Sequence, residues 1–384
     1  LRVSPIFFGI NVLFDSLFFI FIVIYKCIPL NCESNKIPME KQIISSLLNW
    51  YLNNQRDLPW RNLQKNKKLN PYYILVSEYM LQQTSVSTVK KRFEEFIDKW
   101  PTLKDLSKVS ESRILKFWSG LGYYSRARNL LKTVKIINKE FNNKIPNSYN
   151  TLINFPGIGE YTAKAIMGIG YNKPVMPLDA NIERIIARLY AYEKPIIKIK
   201  KQLNQKATKF ISKKNSSDLI QSFMDYGSMI CTPRNPSCIS CNISKYCLAF
   251  QKKIQNEIPK KIIKQKKKPK KYTRAYVLLN ENNEILVRTR SPKGMLASML
   301  EVPNDLWVEK KSLLQNDEVV KILNSNFDSK GSIIYPFSHF NLHAEVYYKQ
   351  IKKNKFPKTK WLNISKYSNS QLPTVMKKIV EVAL

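Results

Sequence analysis

The period of the apolar positions divides the chain in two. Over residues 41 to about 250 they recur at steps of three and four, as in Val86, Val89, Phe93, Phe96 and Trp100, and again in Ile182, Ile185, Ile186 and Leu189. That spacing predicts amphipathic helices whose stripes form a core. The punctuation agrees: Asn70 followed by Pro71 is an N-cap and first-turn pair, and Pro101 stops the helix that ends at Trp100. After Tyr272 the period drops to two. Residues 275–279 and 284–288 flank Asn280, Glu281, Asn282 and Asn283, which predicts a hairpin, and Leu342, Ala344, Val346 and Tyr348 alternate along a later strand. A mainly helical part is therefore followed by a separate α+β domain.

At 384 residues the chain is long enough for two or three domains with sizeable cores. Its formal net charge of +36 would draw in a polyanion and make binding salt-dependent. Lys, Ile and Asn are abundant throughout, so charge alone does not name the partner. Ten lysines lie between Lys252 and Lys271 with only Glu257 opposing them. Residues 251–272 therefore read as a solvated linker, serving as a tether or as a phosphate contact. Residues 6–25 are mostly apolar, but Asn11, Asp15 and Ser16 interrupt them. An Asp near mid-span costs about 2.5–3.5 kcal/mol on insertion scales. The first residue is Leu1, and Met39 directly precedes the first well-patterned helix. The expectation is that residues 1–38 are an upstream extension outside the functional protein, with no membrane association.

The densest chemistry lies in Cys231, Cys238, Cys241 and Cys247, spaced Cx6Cx2Cx5C. Thiolates so close on one loop can share one soft centre, an iron-sulfur cluster or a zinc ion. Structural zinc sites usually present two CxxC-like pairs far apart, whereas only Cys238 and Cys241 form such a pair here. A disulfide fits less well, because the globular part is otherwise nearly free of cysteine. A [4Fe-4S] cluster is thus expected ahead of zinc.

At the end of a helical domain this spacing resembles the cluster loop of the endonuclease III superfamily of DNA base-excision glycosylases. A second match supports it. Phe155-Pro156-Gly157-Ile158-Gly159-Glu160-Tyr161-Thr162 is a tight glycine turn before a helix, which offers backbone N–H groups to a phosphate. With Asp179 downstream, it resembles the superfamily's helix-hairpin-helix and implies DNA contacts at Gly157 and Gly159. Bifunctional members carry a Lys at position 161, whose amine attacks the sugar. Here it is Tyr161, which implies hydrolysis by water that leaves an abasic site.

On a helix starting at Pro71, Ile74, Glu78 and Leu81 share one face. Apolar neighbours would raise the Glu78 pKa above its usual value of about 4.3 and suit it to be a general acid; a surface pairing with a cation is the plainer alternative. The string Ser77-Glu78-Tyr79-Met80-Leu81-Gln82-Gln83-Thr84 is similar to the signature of MutY-type adenine DNA glycosylases, and Gly120-Leu121-Gly122-Tyr123-Tyr124-Ser125-Arg126-Ala127-Arg128 matches that family too. The resemblance spans residues 39 to about 384 and is strongest over 58–247.

It implies that Glu78 protonates adenine and that Asp179, otherwise an ordinary helix cap, faces the deoxyribose and stabilises its developing positive charge. Asn181 and Tyr161 would shape the site. Ala180 stands where the family often has Gly. The target base must be flipped out, and Gln83 and Tyr124 are the expected insertion residues, with Leu81 nearby. Phe337, Ser338 and His339, followed by Phe340, resemble the loop that recognises 8-oxoguanine in a C-terminal domain similar to Nudix hydrolases. That domain shows no REXXEE run, so recognition without hydrolysis is expected. Arg234 and Lys245 are candidate phosphate contacts beside the cluster.

The fold class expected is a mainly α helix-hairpin-helix glycosylase core with a [4Fe-4S] cluster loop, plus a C-terminal α+β Nudix-like domain. Its divisions are the 1–38 extension, a 39–250 core, a 251–272 linker and a 273–384 recognition domain. The partner is double-stranded DNA carrying an A:8-oxoguanine or A:G mispair, bound by a monomer in a bacterial cytoplasm. Two alternatives are an endonuclease III-like glycosylase and lyase acting on oxidised pyrimidines, and a cluster-bearing DNA sensor without catalysis.

Overall fold

The computed structural model describes residues 37–61, 69–260, 268–367, 370 and 372–384. The apolar run at 6–25 and part of the Lys-rich stretch lie outside them. The first helix, α1 (Met39–Asn54), buries Ile43, Leu47 and Tyr51. Next comes α2 (Pro71–Leu81), where Asn70 caps the start by accepting a hydrogen bond from the Tyr72 N–H at 3.0 Å. Seven of its residues from Ile74 to Met80 are buried in succession, so α2 is enclosed on every side. That enclosure takes Glu78 out of water. Helix α3 (Val86–Lys99) is amphipathic as its spacing predicts, with Val89, Phe93 and Phe96 inside and Trp100 closing it against Phe96 and Phe117.

Helices α4 (Ser125–Glu140) and α5 (Glu160–Ala165) follow, the latter running into a π turn at Ile166–Gly170. In α6 (Ala180–Leu189) the stripe Ile182, Ile185, Ile186 and Leu189 is fully buried, and α7 (Ser216–Met229) packs against both α6 and α1. One continuous apolar cluster runs through these helices as far as Ile258 and takes in Met299 from the C-terminal part. This corrects the expected linker start at 251. Ile258 is buried, and its carbonyl accepts from Arg188 Nε at 2.9 Å, so the chain stays tied to the core through Ile258.

The C-terminal part is a six-stranded sheet in the order β3-β2-β1-β5-β4, with β6 pairing β2. The strands are β1 (Lys270–Leu279), β2 (Glu284–Thr289), β3 (Leu300–Glu301), β4 (Asp328–Pro336), β5 (Asn341–Gln350) and β6 (Thr359–Asn363). The β1–β2 hairpin forms where expected. Asn280 Oδ1 closes it by accepting the N–H groups of Asn282 and Glu284, both at 2.9 Å. The central pair β1–β5 is parallel and all other pairs are antiparallel. Helix α8 (Glu318–Leu323) supplies Val319 to a small cluster with Leu278 and Leu286, while α9 (Thr374–Ala383) covers the alternating row Leu342, Ala344 and Val346. The sheet is thus clothed on both faces. Its buried acids are neutralised by arginine, Glu301 by Arg288 and Arg290, Asp317 by Arg288, and Asp305 by Arg274.

Candidate active site

Glu78 and Asp179 reach the site from different helices. Glu78 stands in the last turns of α2 and is 7 % exposed. Among the described residues its one side-chain hydrogen-bonding neighbour is the Tyr161 hydroxyl, which donates to Oε1 at 3.5 Å, the long limit of such a bond. Burial, and then the negative charge of Asp179, push the Glu78 carboxyl up to about 8. Asp179 sits at the N-cap of α6. Its Oδ1 accepts from the Ile182 N–H at 2.7 Å and its Oδ2 from Asn181 Nδ2 at 2.7 Å. Burial raises its pKa as well, but these N–H donors and the nearby Arg184 charge oppose that rise. Two neighbouring carboxyl groups with unequal donor sets are thereby pushed apart, Glu78 toward its neutral form and Asp179, with its N–H donors, less so. Tyr161 is itself raised well above the usual phenol value by burial and by both carboxyls, so it stays a neutral donor.

Behind the carboxylates, Arg184 knits α6 to α7 and to the cysteine loop. Its guanidinium donates to Asn181 Oδ1 at 2.9 Å, to the Gly227 carbonyl at 2.5 Å and to the Cys231 carbonyl at 2.7 Å. Sequence reasoning passed over this residue. The available signal was Arg184 and Arg188 four apart on an otherwise apolar helix face. Gly227 matters for the same contact, since a Cβ there would lie 2.6 Å from Asn181 Cβ.

The glycine turn precedes α5 as expected. Gly157 has a φ of +82° and is packed so closely that a Cβ would lie 2.9 Å from Asn129 and 3.0 Å from Tyr79. Gly159 is the N-cap of α5. Gln83 is exposed just past α2 in a left-handed backbone conformation, φ 57°. Tyr124, expected as an insertion residue, is among the residues that line a cleft between the helical part and the sheet. It is 6 % exposed and belongs to the helical core. The exposed ring is its neighbour Tyr123, turned outward by a left-handed φ of 45°. The Tyr123 and Ser338 hydroxyls share a 2.5 Å hydrogen bond. They line the same cleft, of about 520 Å³, with Tyr335, Phe337 and His339 on its far wall. A tight turn closed by the Phe337 N–H on the Phe340 carbonyl exposes Ser338 and His339, while the Phe337 ring packs tilted by 31° against Phe340, centroids 4.9 Å apart.

Comparison with known proteins matches this architecture. Residues 76–213 fit the model of the HhH-GPD superfamily of base excision DNA repair proteins, and 274–382 fit the NUDIX domain. An adenine DNA glycosylase from Buchnera aphidicola of Schizaphis graminum is 33 % identical over 357 residues, covering 88 % of this chain and 97 % of that protein. The chain belongs to the adenine DNA glycosylase family. The Homo sapiens adenine DNA glycosylase is 28 % identical over 400 residues, 88 % of this chain and 73 % of the human protein. A thermostable thymine-DNA glycosylase superposes with a TM-score of 0.50 at 28 % identity, covering 56 % of this chain and 97 % of that one. This chain is therefore a base-excision glycosylase for adenine, and DNA is its substrate. Among the described residues no helix is long and apolar enough to cross a membrane.

In this glycosylase Cys231, Cys238, Cys241 and Cys247 are all free, half-buried thiols that wall a small cavity with Ile185, Arg188, Tyr226 and Gln255. Among the described residues no three His, Cys, Asp or Glu side chains meet in an arrangement for one metal ion. Four thiols on the wall of one cavity are a donor set that fits a thiolate-bound metal group. Arg188 Nη1 donates to Cys231 Sγ at 3.2 Å, and Tyr226 Oη donates to Cys241 Sγ at 3.2 Å. Burial pushes the Cys247 thiol up to about 11. Arg234 and Lys245 are exposed on the same loop region.

Proposed function

We propose that this enzyme removes adenine mispaired with 8-oxoguanine or guanine by water-driven hydrolysis, without a lysine-dependent lyase step. The observation that carries the proposal is the buried Glu78 carboxyl, pushed up to about 8 beside the N–H-stabilised Asp179. With adenine flipped out, Glu78 gives its proton to a ring nitrogen and the C1′–N bond breaks, the electron pair leaving with the base. Asp179 stabilises the sugar cation until water adds at C1′ and gives up a proton that restores the Glu78 acid, so the products are free adenine and an abasic site. Asn181 holds Asp179, and Tyr161 sets the Glu78 side of the pocket without supplying an amine.

The remaining roles follow from placement. Gly157 and Gly159 hold a phosphate at the start of α5, and Arg234 and Lys245 add phosphate contacts. Gln83 and Tyr123, in place of Tyr124, enter the vacated stack. Phe337, Ser338 and His339 read the base opposite adenine from across the cleft. The four cysteines hold a [4Fe-4S] cluster that maintains the loop and supplies no step of the hydrolysis. The chain acts as a cytoplasmic monomer, with 39–258 as its glycosylase unit and 270–384 as its recognition unit.

The test is adenine release from duplexes containing A:8-oxoguanine, A:G or A:T, with and without alkali, alongside borohydride trapping on abasic DNA. Release from the two mispairs, cleavage only after alkali and weak trapping are expected. Release of an oxidised pyrimidine instead, or efficient trapping, would overturn the proposal.

A further inference from the structure

We propose that Tyr226 is a positioning residue for the metal group held by the four cysteines: its hydroxyl donates to Cys241 and sets how readily that group gives up an electron. The inference rests on reading those cysteines as iron-sulfur ligands. Tyr226 is fully buried, and its Oη lies 3.2 Å from Cys241 Sγ. The same oxygen accepts the Asn242 N–H at 2.9 Å. One lone pair is therefore occupied and the O–H is aimed at sulfur. Trp50 holds the ring edge-on, 4.9 Å between centroids at 80°. The Tyr226 carbonyl also accepts the Cys231 N–H at 2.8 Å, so one residue fastens two of the four ligands.

The consequence is electronic. A donor to a cysteine thiolate withdraws charge from the sulfur and favours the more reduced state of the centre, raising its potential. Tyr226→Phe keeps the ring and its contact with Trp50 while deleting the O–H.

The test uses the full chain, purified with its iron under anaerobic conditions. Its midpoint potential is measured by voltammetry on a DNA-modified electrode, and helical circular dichroism and iron content are recorded for each protein. In Tyr226→Phe we expect iron content equal to wild type and about a tenfold shift of the redox ratio toward the oxidised form at fixed potential, about 59 mV lower for a one-electron couple. An unchanged potential at full iron content overturns the inference. If Tyr226→Phe takes up no iron, 3-fluorotyrosine placed at position 226 decides, because this stronger donor of nearly the same size should raise the potential. No change there overturns the inference as well. Wild-type protein that carries no iron overturns the cluster reading itself, a separate result visible before any variant is made.

Discussion

Replacing Gly227 with alanine should disable catalysis from a position that touches no substrate. The added Cβ would sit 2.6 Å from Asn181 Cβ and 3.2 Å from its Cα and Cγ. Asn181 must then withdraw by about 0.8 Å to reach ordinary contact distance. Its Nδ2 now donates to Asp179 Oδ2 at 2.7 Å, and a retreat of that size breaks the bond. Asp179 keeps its backbone N–H donors but loses the side-chain donor that fixes its Oδ2, and the carboxylate turns. Misplacing a reacting group by about 1 Å costs roughly a hundredfold in rate, about 2.7 kcal/mol of barrier. The expected result is a ~10²-fold fall in single-turnover adenine release with duplex affinity, measured by fluorescence anisotropy, close to wild type. Stability helps separate the causes. Alanine in a helix interior gains roughly 0.5–1 kcal/mol over glycine, while overpacking costs about 1–3 kcal/mol, so the stability loss read from the urea midpoint should be no more than about 2.5 kcal/mol, leaving the protein folded under assay conditions. A Gly227→Ala enzyme within twofold of the wild-type rate would show that Asn181 does not position Asp179.

Three further outcomes follow from the same geometry. Glu78→Gln should abolish adenine release, and its stability relative to wild type should depend on pH. The folded chain keeps the Glu78 proton to about pH 8, whereas the unfolded chain loses it near 4.5, so wild-type stability declines as pH rises between those values. The advantage of Glu78→Gln should be absent below pH 4.5 and grow to at most about 5 kcal/mol above pH 8, as read from melting curves at pH 5 and 9; a pH-independent difference would contradict a buried, protonated Glu78. The single-turnover rate of the wild type should fall at high pH as Glu78 deprotonates near 8, and at low pH as Asp179 protonates above its ordinary 3.8. Asp225, wholly buried between Arg56 and Arg61 at 2.6 Å each and held below the usual carboxylate range by their opposing effect on its burial, should cost roughly 3–5 kcal/mol when changed to Asn, and a urea midpoint within error of wild type would refute that pairing.

Local patterns were legible because local rules produce them. The stripes of α3 and α6, the Asn70 cap and the Asn280 turn each depend on a few adjacent residues, and each appears where its spacing places it. Glu78 was half legible: Ile74 and Leu81 suggested an apolar face, but its burial comes from helices packed on every side of α2, which no window of sequence contains. Tandem tyrosines defeat periodicity in another way. Tyr123 and Tyr124 are chemically alike, and only the left-handed backbone at Tyr123 decides which ring meets solvent. The end of the helical core was hidden by composition, because the lysines around Ile258 masked one apolar residue that anchors there. The parallel pairing of β1 with β5 joins segments far apart in the chain, so alternation could identify both strands and not their neighbours.

Arg184 and α7 show why those long-range terms matter to chemistry. Three consecutive residues of α7 face three different structures, since successive side chains leave a helix about 100° apart. Asp225 is clamped by Arg56 and Arg61, Tyr226 reaches Cys241, and Gly227 lies against Asn181 while its carbonyl accepts from Arg184. Rotating α7 to relieve crowding at Gly227 would drag Asp225 from its arginines and Tyr226 from sulfur. Both are fully buried, so neither loss is made good by water. The helix is therefore the stiff partner and Asn181, half-buried in the first turn of α6, the yielding one. That asymmetry is why a methyl group at position 227 is expected to act on Asp179 instead of on the fold.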